Sequence, residues 1–189
     1  MNTNKSLIFF TIITLAMSIL ACTINVGGPV YPTPPIPVST EAVGELQTAL
    51  GTAVAAGANS GQITLVFNEP QLTSYLAYKL KSQSQSLLTN PQVYLQNGQL
   101  QIYGTVRQGY FEATASVTLS AGVDTQSQLK IELVSADFGP LPVPTGLKDF
   151  ITAAIQEAYT GALGPVATGF RLISVAISDG KMTIIGQTK

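Results

Sequence analysis

The chain offers few residue types that could carry out chemistry, and its carboxylates come first. Glu112 and Glu132 fall on the polar sides of two alternating segments that we expect to be neighbouring strands, and paired carboxylates can act as general acid and base. The residues beside them at alternate positions, Thr114 and Lys130 among them, are also polar, which favours a solvated sheet face. The chain has no histidine, which excludes a Ser-His-Asp triad and any zinc site that uses histidine. The sequence therefore predicts no catalytic residues and no enzymatic activity.

The remaining composition excludes further classes of site. Asp124 with Thr125 and Gln126 supplies too few oxygen ligands for a calcium loop, so we predict no metal site and no cofactor. A single cysteine excludes an internal disulfide, so stability must come from core packing. The formal net charge is −1 and charged residues make up 10% of the chain, against about 25% in typical soluble domains. Such a balance gives no electrostatic basis for a nucleic-acid partner.

The N-terminus has the organisation of an export signal. A lysine precedes an almost purely apolar run, residues 7–21, and a small residue then precedes the cysteine. Ile19-Leu20-Ala21-Cys22 resembles the lipobox of bacterial lipoproteins, in which the cysteine is acylated, for example with palmitate, and becomes the first mature residue. Leu20 departs from the smaller residue of the consensus. The alternatives are an ordinary signal peptide and a retained anchor, although the run is shorter than the ~20 residues of a spanning helix.

This resemblance implies a lipoprotein signal peptide over residues 1–21 and lipidation of Cys22. The protein would then be extracytoplasmic and held to the cell membrane by its N-terminal lipid. Prolines recur in the next segment, and repeated proline favours an extended conformation at ~3.1 Å per residue. We therefore predict a Pro/Gly-rich tether over residues 22–39 and a single domain over residues 40–189.

Two helices are predicted at the start of that domain. The first has Ser39 or Thr40 as its N-cap and, from its apolar spacing, ends at Gly57. A short strand, residues 62–67, follows it. The second helix begins at Asn68, which is followed by an early carboxylate and a proline.

Antiparallel strands are predicted for the middle and the end of the domain. Asn97-Gly98 and Asp179-Gly180 each separate two alternating runs, which indicates hairpins closed by primed turns. Residues 110–120 alternate strictly between apolar and polar, as expected of a strand with one buried face.

Two further features complete the pattern. The alternation of the next strand breaks at Leu133-Val134 and transfers the apolar face to Ala136 and Phe138, which indicates a β-bulge. The clearest helical periodicity of the chain covers residues 147–159, and it predicts a long amphipathic helix.

Four stretches of sequence carry a resemblance to a known superfamily. They are Asn68-Glu69-Pro70-Gln71-Leu72-Thr73-Ser74-Tyr75-Leu76, Asn90-Pro91-Gln92-Val93 leading into Asn97-Gly98, Gly139-Pro140-Leu141-Pro142-Val143-Pro144, and Ile173-Ser174-Val175-Ala176-Ile177-Ser178-Asp179-Gly180-Lys181-Met182-Thr183-Ile184. Together they make residues 65–186 look like the single-module relatives of the TULIP superfamily of lipid-binding proteins, small extracytoplasmic bacterial proteins in the style of YpmS.

The resemblance implies an α+β fold in which a strongly curved antiparallel sheet wraps around the long amphipathic helix (half-TULIP-like), with one or two further N-terminal helices. The groove between sheet and helix would take lipid acyl chains. The groove candidates are Leu76, Leu80, Leu95, Ile102, Val117, Leu119, Ile131 and Leu133, with Phe150, Ile151, Ala154 and Ile155 on the helix. Small Ala113 and Ala115 would leave room in the groove. A plain hydrophobic core gives the same pattern and stays open as the alternative.

The function that follows from anchor and groove is binding, or transfer, of a lipid or another apolar ligand near the membrane. Affinity would come from apolar burial, and specificity from a few polar groups at the mouth of the groove. The alternative is a non-catalytic structural or interaction domain of the cell envelope, with a closed core, presented to a protein partner. The sequence identifies no particular protein partner.

Overall fold

The computed structural model describes residues 23–82, 88–142 and 170–188. In chain order the elements are β1 (Ile24–Asn25), α1 (Thr40–Ser60), β2 (Gln62–Asn68), α2 (Glu69–Lys81), β3 (Thr89–Gln96), β4 (Gln99–Gln108), β5 (Phe111–Val123), β6 (Leu129–Asp137), β7 (Phe170–Ser178) and β8 (Lys181–Thr188). Within the described residues the fold is a mixed α+β arrangement of two helices and strongly curled, largely antiparallel β-structure. The helix predicted over residues 147–159 lies outside the described residues.

Helix α1 is capped at both ends by short-range hydrogen bonds. The Ser39 hydroxyl oxygen accepts a hydrogen bond from the Ala42 backbone N–H at 3.1 Å, which satisfies one of the free donors of the first turn. Gly61 ends the helix in the left-handed conformation, and its N–H donates to the Gly57 carbonyl. The prediction that Gly57 ends the helix is wrong. Gly57 is buried within the helix, where the ring of Phe170 leaves no room for a Cβ.

Helix α2 begins with a capping box. The Asn68 side chain accepts a hydrogen bond from the Gln71 backbone N–H at 2.9 Å, and the Gln71 side chain accepts one from the Asn68 N–H at 3.1 Å. Pro70 occupies the first turn, where its missing N–H costs no helical hydrogen bond.

The strands form two sheets. The larger has the order β3-β4-β5, with β6 and the short parallel strand β1 both paired to the remaining edge of β5; the smaller has the order β2-β8-β7. Asn97 and Gly98 have φ values of 54° and 73°, and Asp179 and Gly180 have values of 51° and 72°. Two consecutive positive φ values are those of a type I′ turn, so both predicted hairpins are confirmed.

The predicted β-bulge in β6 is also confirmed. Thr118 pairs with Ser135 and Leu119 pairs with Leu133, so Val134 is the extra residue between them. Beyond the bulge, Ala136 lies opposite Val117. The bulge therefore keeps apolar residues on one face of the sheet on both of its sides.

Two hydrophobic clusters stabilise this arrangement. The first joins α1 and the smaller sheet to Leu95 and Leu129 of the larger sheet. The second lies against the larger sheet alone and includes Leu80 of α2, together with Leu88 and Phe138. Strand β5 contributes to both clusters, so it links the two parts of the core.

The segment predicted to be a tether lies against the domain over much of its length. Strand β1 pairs with β5. The Gln92 side chain donates to the Ile36 carbonyl at 3.1 Å and accepts from the Ile36 N–H at 2.6 Å, and the Tyr94 hydroxyl donates to the Pro32 carbonyl at 2.9 Å. Gln92 and Tyr94 are buried, and buried polar groups require partners. The backbone of the proline-rich segment supplies those partners, so residues 24–39 contribute to the fold.

Candidate functional site

Among the described residues, the larger sheet carries a row of buried apolar side chains along strand β5. Along β5, Ala113, Ala115, Val117 and Leu119 are at most 8% exposed, and half-buried polar residues alternate with them. Because side chains of a strand alternate between its two faces, these four residues define one face, called here the inner face.

Most of the predicted groove residues are buried on or near the inner face. Below 9% exposure are Leu80, Leu95, Ile102, Val117 and Leu119, while Leu76 and Ile131 are partly buried. All of them except Leu95 belong to, or pack against, the second cluster, whereas Leu95 belongs to the first cluster beside the smaller sheet. The structure therefore brings six of the eight together, with Leu95 and Leu133 apart.

Leu133 differs from the other groove candidates. It pairs with Leu119 and shares its face, yet it is 46% exposed whereas Leu119 is 8% exposed. Ala136, on the same face two places along the ladder, is exposed as well. Leu133 therefore lies on the inner face, as the resemblance implies, but it is more exposed than the other candidates. The inner face continues onto β6, where Leu133 and Ala136 are exposed.

The room expected beside Ala113 and Ala115 is partly filled by the protein itself. Gly104 pairs with Ala115 across β4 and β5. A Cβ at Gly104 would overlap the Leu88 side chain, which is itself 5% exposed. Leu88 therefore occupies the space that these small residues leave. The four helix candidates, Phe150, Ile151, Ala154 and Ile155, lie outside the described residues.

The two carboxylates considered for acid–base chemistry lie apart. Glu112 pairs with Arg107 at 3.0 Å near one end of β5, and Glu132 pairs with Lys130 at 2.8 Å and lies opposite Ser120. The hydrogen bond to Glu132 raises the pKa of exposed Lys130. Each carboxylate has its own cation, as on a solvated sheet face. Nowhere in residues 23–82, 88–142 and 170–188 do three potential metal-ligating side chains of the His, Cys, Asp and Glu types come together.

Polar side chains of α2 satisfy the open edge of β3. Glu69 Oε1 accepts the Leu95 N–H at 2.8 Å, and Thr73 Oγ1 accepts the Val93 N–H at 2.9 Å. The four-residue spacing of Glu69 and Thr73 places both on one side of the helix. In the sequence, Glu69 indicates only the start of a helix. The several polar residues between Asn68 and Ser74 are the sequence feature that could have indicated hydrogen bonding from this helix to a strand edge.

Three tyrosines form the contact between the N-terminal segment and the opposite, outer face of the sheet. The ring centroid of Tyr103 lies 5.9 Å from that of Tyr31 and 5.8 Å from that of Tyr94. Burial raises the pKa of Tyr94, and the negative charge of Glu69 raises it further. Burial also raises the pKa of Tyr31, and this effect outweighs a hydrogen bond with Thr105 that lowers the pKa. Both phenols are therefore held in their neutral form.

The part of the chain that the structure describes contains two helices, α1 and α2. Neither α1 nor α2 combines the length and apolar character needed to cross a bilayer.

Comparison with solved structures finds weak similarity to a lipid-binding protein. A crystal structure of lipopolysaccharide binding protein matches with a TM-score of 0.19 and 11% sequence identity, over 80% of this chain and 48% of that chain. The chain thus spans about half the length of that neighbour. No protein-family profile matches the chain, and a search of curated proteins finds no match.

Proposed function

We propose that this chain is a membrane-anchored extracytoplasmic lipoprotein that binds, and can transfer, a lipid or another apolar molecule without covalent chemistry. The observation that carries the proposal is the exposure of the inner face on β6. Leu133 is 46% exposed beside Leu119, which is 8% exposed. Burial of a leucine side chain contributes ~1.5–3 kcal/mol, so an apolar ligand laid along this row would gain free energy that the protein alone leaves unused.

The anchor is proposed from the sequence. Cys22 follows an apolar run shorter than a spanning helix and is preceded by a small residue. Metabolic labelling with a clickable fatty acid tests it: the wild-type chain and Thr23→Ala should be labelled, and Cys22→Ala should not. Labelling that survives in Cys22→Ala would refute acylation at this residue.

Ligand binding is tested on a version of the chain that begins at Thr23, which keeps every described residue, including the segment packed on the outer face. We expect native mass spectrometry to show co-purified lipid and a fluorescent fatty acid to bind. Replacing Leu133 with Gln should weaken binding by about fivefold, since roughly 1 kcal/mol of apolar contact is lost. Val66→Gln is the matched control, because Val66 is 45% exposed but belongs to the smaller sheet.

A closed structural or interaction domain is the second candidate, and the packing of Leu88 against Gly104 favours it. Together with the buried positions of Leu95 and Ile102, that contact is what a core filled by its own side chains requires. A ligand-free mass together with no fatty-acid binding would favour this candidate and exclude the first.

A further inference from the structure

An uncharged apolar patch lies where the N-terminal segment meets the larger sheet. Ile24 of β1, Tyr110 in the β4–β5 turn and Phe111 at the start of β5 are 54%, 70% and 48% exposed. Ile24 pairs with Phe111, and its backbone N–H donates to the Tyr110 carbonyl at 2.8 Å. These contacts bring the backbones of the three residues together at the tip of a hairpin. They are called here the tip patch.

The turn that carries the tip patch is tight. Gln108 pairs with Phe111, so Gly109 and Tyr110 form a two-residue connection, with Gly109 at a φ of 61°. Glycine at the first central position of such a turn suits the backbone twist of a hairpin. Tyr110 therefore sits at the outermost point of the hairpin on a short, well-paired support.

The charges nearest the tip patch neutralise each other. Arg107 and Glu112 flank the turn and form an ion pair of 3.0 Å. Ile24, Tyr110 and Phe111 themselves carry no charge at neutral pH. Transfer of the patch into a less polar medium therefore desolvates no unpaired charge, which is the main cost of such a transfer.

The position of the patch along the chain identifies what covers it. Cys22 precedes Ile24 by two residues, and consecutive Cα atoms are 3.8 Å apart, so the covalent chain allows at most about 8 Å between an anchor attached at that position and the patch. Both a lipid on Cys22 and a retained apolar run over residues 7–21 would hold the bilayer beside the patch. Here the structure leaves no free spacer between them, because β1 is already paired with β5.

We propose that the tip patch docks into the membrane interface, with lipid as its partner and Tyr110 at the level of the headgroups. Aromatic side chains with one polar end favour this level of a bilayer. A second copy of the chain is a poor partner, since the three side chains of each copy would together bury roughly 600 Å², and stable interfaces bury ~1,200 Å² or more in total. This inference rests on the proposed anchoring.

Docking in this way also orients the inner face. Phe111 occupies the same alternating row as Ala113, Ala115 and Val117, which are buried. The exposed end of that row would then meet the bilayer directly. An apolar ligand could leave the membrane at Phe111 without crossing water.

Site-directed photo-crosslinking of the full chain in its native membrane tests the proposal. Tyr110→p-benzoylphenylalanine is compared with the same replacement of Tyr78, which is 41% exposed on α2. Phe111→p-benzoylphenylalanine is a second probe in case the first fails to fold. We expect at least about tenfold more lipid adduct at the tip patch than at position 78, because only the patch partitions into the interface.

Fatty-acid labelling of Cys22 in the same samples separates the two proposals. A labelled Cys22 with equal lipid adduct at positions 110 and 78 overturns docking while anchoring stands. An unlabelled Cys22 with strong adduct at position 110 overturns acylation while docking stands. Crosslinking of position 110 to a protein in place of lipid overturns docking in either case.

Discussion

The Glu69 carboxylate accepts a hydrogen bond from the backbone N–H of Leu95 at 2.8 Å. Glu69 lies in the first turn of α2, and Leu95 is fully buried in β3. β3 is the last strand of the larger sheet, so its outward N–H groups have no strand partner. The helix satisfies this edge with side chains, and the same contact keeps the edge from pairing with another chain.

Removing the Glu69 carboxylate should therefore destabilise the fold. Glu69→Ala leaves the Leu95 N–H without its partner, and we expect the free energy of unfolding to fall by ~1–3 kcal/mol. Urea titration followed by circular dichroism measures this change. Glu41→Ala is the control, because Glu41 is also in the first turn of its helix but is exposed. Equal losses in the two variants would show that only the helix dipole matters.

Two of the three glycines of α1, Gly51 and Gly57, should respond in opposite directions to alanine. Nothing lies within 4 Å of a Cβ at Gly51, so Gly51→Ala should stabilise the helix by ~1 kcal/mol. A Cβ at Gly57 would lie 2.8 Å from Cε1 of Phe170, so Gly57→Ala should destabilise the protein by ~1–3 kcal/mol through overpacking. Thermal unfolding of both variants measures the difference. A gain in stability for Gly57→Ala would mean that the Phe170 ring moves freely.

Local patterns predicted the turns and the bulge correctly because their causes are local. The dipeptide Asn97-Gly98 readily adopts two positive φ values in any hairpin. The bulge at Leu133-Val134 is visible within one strand, because the alternation of apolar and polar residues is interrupted there. The end of α1 was placed at Gly57 because glycine commonly ends helices. Only the distant Phe170 ring explains why this glycine lies inside the helix.

Contacts between distant residues account for what the sequence could not predict. Gln92 and Ile36 are 56 residues apart, and nothing in a proline-rich stretch indicates that its carbonyls will meet Gln92 or Tyr94. The exposure of Leu133 likewise depends on what covers β6, whereas the alternation establishes only which face it shares. The sequence therefore predicts which residues share the inner face, but not which of them are exposed.

Alkaline pH should detach the N-terminal segment from the sheet before the rest of the domain unfolds. Burial raises the pKa of both Tyr31 and Tyr94 above the ordinary 10.0, so the folded state holds their protons more tightly than the unfolded state does. The associated stability is fully present below pH 10 and is lost as pH rises through the folded-state pKa values. Phenolate absorbance and urea unfolding, measured between pH 8 and pH 12 at intervals of about 0.5, follow the two processes.

Variants identify the tyrosines responsible for this alkaline loss. The double variant Tyr31→Phe, Tyr94→Phe should lose less stability above pH 10, although it is less stable at neutral pH because the bond from Tyr94 to Pro32 is gone. Tyr110→Phe should leave the alkaline loss unchanged, since that ring is 70% exposed. An unchanged alkaline loss in the double variant would place its cause elsewhere.

The close approach of Gly28 to β5 should decide whether the N-terminal segment stays paired. A Cβ at Gly28 would overlap the Thr114 carbonyl oxygen, whereas nothing lies within 4 Å of a Cβ at Gly27. Both glycines have positive φ values, 121° and 95°, so each alanine carries backbone strain of ~1–3 kcal/mol. Only Gly28→Ala adds a steric clash.

We therefore expect the two alanine variants to differ in the pairing of β1 with β5. The Thr114 N–H donates to the Gly27 carbonyl at 2.9 Å, and its hydrogen exchange should accelerate strongly in Gly28→Ala and far less in Gly27→Ala. Because Ile24 is held in the tip patch by the same pairing, Gly28→Ala should also lower the lipid adduct at position 110. Equal exchange rates in the two variants would mean that strain alone, without the close approach, determines how the segment is held.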